Sequence, residues 1–305
     1  MIPHATPVLR RSVEWPTVLL TLVIYGGWLA VTWFWRSLPG PLLVGIGAWL
    51  LAWQGSLQHE VMHGHPTRIR ALNDAIGWPP LTLWLPYAIY RTSHLRHHRD
   101  ELLTDPIEDP ESVYLEGRTW DALSPVPRLL LTLNMTLAGR LLIGPAIMIG
   151  AFLRAEARLL RRGAPGRAAL WAWHALGCAA VLGWVVIVCG MPAWLYLAGF
   201  LYAGAALTRL RSFAEHRYAD RHEERTAIVE RGGLLGLLYL NNNLHVLHHL
   251  RPALAWYQLP KLYARDRVAL RSRNGGLVYD GYGDVIRRFL FRIHDRPRHP
   301  GRVTS

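Results

Sequence analysis

Residues 94–98 read His-Leu-Arg-His-His, and residues 245–249 read His-Val-Leu-His-His. One HxxHH pattern thus occurs twice, about 150 residues apart. On a helix, positions i, i+3 and i+4 share a face, so each copy points three imidazoles one way. Two further places complete a set. His59 and His63 stand four apart in HEVMHGH, and His216 stands alone in RSFAEHR. Nine of the 15 histidines fall in these four places: His59, His63, His94, His97, His98, His216, His245, His248 and His249. His4, His174, His222, His294 and His299 have no partner at useful spacing and read as ordinary residues.

Imidazole is a good ligand for iron, copper, zinc and nickel. Nine imidazoles are too many for one tetrahedral zinc. They suit two metal ions with four or five nitrogens each, leaving positions open for oxygen chemistry. A ligating imidazole is neutral and needs an acceptor on its second nitrogen. Glu60, Asp100 and Glu215 each adjoin a ligand position. His65 lies six residues from His59, off its face, and reads as an outer residue. Asn241, Asn242 and Asn243 precede the third box; they cap its helix or orient a ligand. The stretch TDPIEDPES (104–112) has turn chemistry. Its Asp105 and Asp109 are either acceptors for histidines or part of a solvated loop. HEVMH also matches the HExxH of zinc proteases, with Glu60 as general base. That reading leaves seven of the nine histidines unexplained.

The chain has 305 residues, is 51% apolar with 14 Trp, and its apolar residues are bunched into runs. We read a single integral membrane domain over 1–305. A span needs about 20 apolar residues. Runs at about 16–35 and 41–57 form one hairpin through RSLPG, and runs at 169–189 and 192–207 form a second through GMP. Residues 76–90 hold three prolines and are short, and 129–152 carry Arg140 at their centre. A central Arg is costly in lipid, so both stretches read as re-entrant or interfacial. The expected fold is therefore all-α, with four spans in two hairpins plus interfacial helices.

Arg10 and Arg11 precede the first span; Arg154, Arg158, Arg161, Arg162 and Arg167 precede the third; Arg209, Arg211 and Arg217 follow the fourth. The positive-inside rule places both termini and residues 58–168 and 208–305 in the cytoplasm, with every histidine box on that side. The net charge of +13 then meets anionic lipid. Nucleic acid is discounted, because the arginines flank apolar runs rather than interleaving with aromatics on a soluble face. Cys178 and Cys189 share one apolar run, and CxxC is absent, which argues against a disulfide framework or a thiolate metal site. The first run is too long for a signal peptide and reads as a retained span.

The order HxxxH, HxxHH, isolated His, HxxHH, interleaved with two hairpins, resembles the membrane fatty acid desaturase superfamily, which includes alkane hydroxylases and carotenoid ketolases and hydroxylases. The ending HHLRPALAWYQLP (248–260) is similar to that family's HHxxP…Y.LP. The resemblance implies a cytoplasmic di-iron cap whose ligands are the nine histidines. It implies O2 as co-substrate and desaturation or hydroxylation of a C–H bond of a lipid-like substrate, most plainly a fatty acyl chain. In the stearoyl-CoA type an Asn stands four residues before the isolated His, and its first box is HxxxxH. Here Ser212 and HxxxH stand instead, and the EHR context of His216 is nearer to alkane hydroxylases and bacterial acyl-lipid enzymes. The chain has no haem, flavin or ferredoxin segment, so the resemblance implies an external donor of ferredoxin, rubredoxin or cytochrome type. Lys261, Arg265, Arg267, Arg271 and Arg273 could dock an acidic donor or contact anionic lipid. The setting implied is a bacterial inner membrane.

Overall fold

The computed structural model describes residues 13–301, without the side chain of Asp100. His4, Arg10 and Arg11 lie outside the described residues. The chain is mostly helical. Three helices are long and apolar enough to cross a membrane: α1 (Trp15–Trp33), α2 (Gly40–Met62) and the helix Arg167–Val188. The sequence places the end of the second apolar run near 57, but α2 continues to Met62. It therefore carries its last turn, with His59, beyond the apolar stretch.

Between α2 and the third apolar helix lie α3 (Arg70–Gly77), α4 (Tyr87–His97), α5 (Gly117–Asp121), α6 (Pro125–Leu133), α7 (Leu137–Leu142) and α8 (Gly144–Arg161). Helix α9 (Arg167–Leu182) runs on as a π-helix to Val188. The fourth apolar run is divided into α10 (Ala193–Leu195), a π-helix (Tyr196–Tyr202) and α11 (Ala203–Glu215). It is not among the three qualifying helices. Beyond it come β1 (Ile228–Arg231), α12 (Gly233–Leu238), α13 (His245–Leu250), α14 (Leu259–Arg273), β2 (Val278–Gly281) and α15 (Tyr282–Phe289). β1 and β2 pair in parallel, with Ile228 opposite Val278. This small sheet departs from an all-α chain. Alternation alone does not reveal two four-residue strands joined across 46 residues of helix and loop.

Helix α2 is the axis. It packs on α1, α11 and the π-helix before α11. Gly47 and Gly204 allow that approach: a Cβ on Gly47 would lie 2.3 Å from the Phe200 ring, and one on Gly204 would lie 3.0 Å from the Ala48 carbonyl. Trp28, Leu51, Val185, Tyr196 and Phe200 fill the core between these elements. A second core joins α7, α11 and α15 through Leu137, Phe213, Tyr239 and Val285.

Residues 78–86 are not helical. A carbonyl unpaired in hydrocarbon costs several kcal/mol, so such backbone persists only where protein satisfies it. Side chains of α1, α2 and the π-helix before α11 do so here, at this stretch and at the end of α3. Tyr25 Oη donates to Ile76 O at 2.6 Å, Gln58 Nε2 to Gly77 O at 2.7 Å, Gln54 Nε2 to Pro79 O at 2.9 Å and Tyr196 Oη to Leu81 O at 2.7 Å. His174 Nε2 sits 2.8 Å from Leu83 O, which gives that histidine a structural partner.

The stretch 129–152 is broken at 134–136 and at 143, and it does not form one helix. Arg140 faces protein rather than lipid. It is 3% exposed, and its Nε donates to Asn134 O at 2.8 Å. Residues 290–300 lie as a strap along the loops around residues 114 and 135. Leu115 N donates to Pro297 O at 2.7 Å, His294 N to Met135 O at 2.7 Å and Tyr114 Oη to Asp295 at 2.6 Å. His294 Nε2 meets Tyr279 Oη at 2.8 Å. His294, like His174, serves the fold.

Candidate metal centre

All nine histidines converge. His59, His63, His94, His98 and His248 form one group able to hold a metal ion; His97, His216, His245 and His249 form a second. His59 and His63 come from the end of α2, four residues apart on one face. His94 and His97 lie on the last turns of α4, with His98 as its C-cap. His216 ends α11 in extended backbone, where it bridges to Thr226. His245, His248 and His249 lie on α13.

The two HxxHH boxes are split between the groups in opposite ways. Box two gives its i and i+4 residues, His94 and His98, to the five-histidine group and its i+3 residue, His97, to the other. Box three gives His245 and His249 to the four-histidine group and His248 to the first. Three ligands on one helical face span too wide an arc for a single ion, and each box therefore straddles both.

The ring nitrogens meet at short range. His63 Nε2 and His98 Nε2 each lie 3.0 Å from His94 Nε2, and His248 Nε2 lies 3.1 Å from His98 Nε2. In the second group His97 Nε2 and His245 Nε2 lie 3.0 and 2.9 Å from His216 Nε2. A metal–nitrogen bond of about 2.1 Å puts ligands at right angles ~3.0 Å apart and tetrahedral ligands ~3.4 Å apart. Neighbouring nitrogens at this spacing are compatible with ligands at right angles about one ion.

The second nitrogens determine the tautomers. His94 Nδ1 lies 2.8 Å from Glu111 and His97 Nδ1 2.8 Å from Asp109. His245 Nδ1 lies 3.1 Å from Asn242 Oδ1 and 3.4 Å from Glu215. His216 Nδ1 faces the Arg225 carbonyl at 3.3 Å. Carbonyls and carboxylates accept, so the imidazoles donate from Nδ1 and leave Nε2 as a bare lone pair. The Nε2 atoms of His97 and His245 then both approach the Nε2 lone pair of His216 at about 3 Å. A cation shared among the three accounts for this approach, and a metal ion fills that role for all of them at once. His59 Nε2 is likewise buried without a hydrogen-bond partner.

The electrostatics agree. Burial holds His94, His216, His245, His248 and His249 below the ordinary imidazole range, in the neutral form a ligand needs. His97 differs. Burial lowers it, but Glu111 and Asp109 outweigh burial and push it up to about 9, so a proton and a metal ion compete for its Nε2. Burial raises Glu111, yet His97, His94 and Arg211 hold its carboxyl well below the usual range.

The outer candidates fall variously. Asn242 and Glu215 reach His245, and Arg211 Nε lies 3.0 Å from Glu215. Asp105 accepts from the amides of Ile107 and Glu108 at 2.9 Å and shapes the turn. Glu60 accepts from Trp256 N at 3.0 Å. His65 bonds Glu14 at 2.7 Å and lies 3.8 Å from Glu60, so it ties the start of α1 to the first box. The Asp100 side chain lies outside the described residues. Glu111 was not singled out from the sequence. One signal was available: ligating histidines need acceptors, and 105–111 holds four acidic residues shortly after box two. Asp109 is held for its role by the amides of Thr104 and Glu111, both at 2.9 Å.

Two residues counted toward the positive cytoplasmic surface are not on it. Arg211 is 12% exposed and faces Glu215, and Arg209 carries a buried Nε. Helix α11, which carries both, packs against α2 and α7.

Apolar spanning helices that carry two histidine clusters of four and five define a class, the histidine-box oxidoreductases of membranes, and the clusters suit a di-iron centre. The family described as fatty acid desaturase matches residues 32–281, and the chain belongs to that family. No curated protein matches it.

Proposed function

We propose that the chain is a non-haem di-iron oxidoreductase that uses O2 and external electrons to desaturate or hydroxylate a C–H bond of a lipid-like substrate, foremost a fatty acyl chain. The observation that carries this is the convergence of nine histidines into two groups, in each of which ring Nε2 atoms meet at about 3 Å. In this reading His59, His63, His94, His98 and His248 hold one iron, and His97, His216, His245 and His249 hold the other. When bound, the iron pair supplies oxygen activation and hydrogen abstraction. The chain's own residues position and orient. Glu111, Asp109, Asn242 and the Arg225 carbonyl hold Nδ1 protonated and aim Nε2 inward. Four spans in two hairpins hold the substrate chain beneath the cap, with the cap and both termini on the cytoplasmic side of a bacterial inner membrane. Electrons come from a ferredoxin-, rubredoxin- or cytochrome-type donor.

A carotenoid or alkane hydroxylase or ketolase would use the same centre. The zinc-protease reading is disfavoured by two observations. His59 and His63 stand in a group of five, and Glu60 is turned toward Trp256 N and His65.

Metal analysis of protein purified without chelator, paired with lipid profiling of expressing cells, tests the proposal. About two irons per chain and a new unsaturated or hydroxylated lipid, lost in His248→Ala, are expected. One zinc per chain with product unchanged in His248→Ala would sink it.

A further inference from the structure

Arg209 stands out among the charged side chains near the centre. Its Nε is buried without a hydrogen-bond partner, and no carboxylate among the described residues forms an ion pair with it. The groups that face it are Glu111, Glu215, Tyr90 and Arg211, with Arg140 on the α7 side. None neutralises it at contact range. Glu111 is engaged by His94 at 2.8 Å, and Glu215 by Arg211 at 3.0 Å and Asn242 at 3.0 Å. Arg140 repels.

These side chains border a space rather than solid packing. Glu111 is ringed by protein and still 31% exposed, and Tyr90 and Arg209 are also partly accessible. Arg209 precedes His216 by seven residues, about 10 Å along α11 toward the membrane. It therefore overlooks the space between the histidine groups and the spans.

A guanidinium with its Nε buried and unbonded and no carboxylate at contact range is costly, and its planar fork matches carboxylate or phosphate oxygens. We propose that Arg209 is a substrate-positioning residue that receives the anionic head of the lipid-like substrate, a free carboxylate or a phosphate, and so selects an acidic amphiphile over an uncharged one. This rests on the oxidoreductase reading above for the identity of the ligand as substrate.

The test uses the full chain in phosphatidylcholine nanodiscs, with dodecanoate, dodecyl phosphate and dodecanol as probes and metal content measured in parallel. Dodecanoate or dodecyl phosphate binding at least tenfold tighter than dodecanol is expected, with the preference lost in Arg209→Met at unchanged metal content. Arg209→Gln is the second variant should the apolar one not fold. Equal binding of all three probes by the wild type, or a preference that survives both substitutions, overturns the proposal. So does a tenfold loss of dodecanoate binding when phosphatidylglycerol is added to the bilayer, which would assign the anion to bulk lipid. Metal-free protein with an Arg209-dependent preference would instead sink the oxidoreductase reading and leave the anion site standing.

Discussion

At the residue scale, the second nitrogen of each imidazole decides what the first can do. Asp109 is the most heavily committed acceptor, because two backbone amides hold it against His97. Asp109→Ala frees the His97 tautomer. A loss of metal affinity of about 10- to 100-fold is expected, as for other outer-shell partners. Chelator competition measures it, and unchanged affinity would remove Asp109 from the site. The titration behaviour gives a second prediction. In the metal-free chain His94, His216, His245, His248 and His249 have folded pKa values below 6.5, the unfolded value. The unfolded state then binds more protons below pH 6.5, so stability is full above that pH and falls as pH drops through it. His97 runs the other way. Raised to about 9, its contribution is present below 6.5 and lost as pH rises through 9. Thermal melts of chelated protein should peak between these limits. A melting temperature that climbs steadily toward pH 5 would contradict the buried neutral histidines.

At the element scale, the contact of α2 with the π-helix before α11 sets the frame. Gly47→Ala forces a methyl into the Phe200 ring, and overpacking of this kind costs about 1–3 kcal/mol. The double variant with Phe200→Ala should recover part of that loss, because the two residues share one space. Denaturation in detergent reads both, and simple additivity would show that the helices separate instead. The non-helical 78–86 stretch depends on the same frame. Tyr196→Phe leaves the Leu81 carbonyl unpaired where water is scarce, for a loss of about 1–3 kcal/mol. Wild-type stability in that variant would mean that water reaches the segment.

At the scale of the whole molecule, the histidines must meet on one side of the membrane. With Cys178 and Cys189 changed to Ser, a cysteine at Leu38 and one at Glu116 report opposite faces. In a bacterial host, impermeant thiol reagent applied from outside should label position 38 and spare 116. The reverse pattern, or equal labelling, would overturn the hairpin topology.

Much of this was legible in the chain. Long apolar runs mark the three helices able to cross a membrane. Imidazoles at i, i+3 and i+4 mark the centre, because helical geometry leaves such spacing one face to occupy. The family followed from the order of the boxes. Other features depend on distance in space. Glu111 lies 17 residues beyond His94 and reaches it only because the 104–112 turn folds back. Arg209 and Arg211 read as surface charges, since sequence reports their type and not which side of α11 they face. The opposite division of the two boxes between the metal groups is likewise a product of packing. Local spacing determines which imidazoles can act together. The angle at which α4 and α13 approach decides which ion each one serves, and that angle is set by cores drawn from the whole chain.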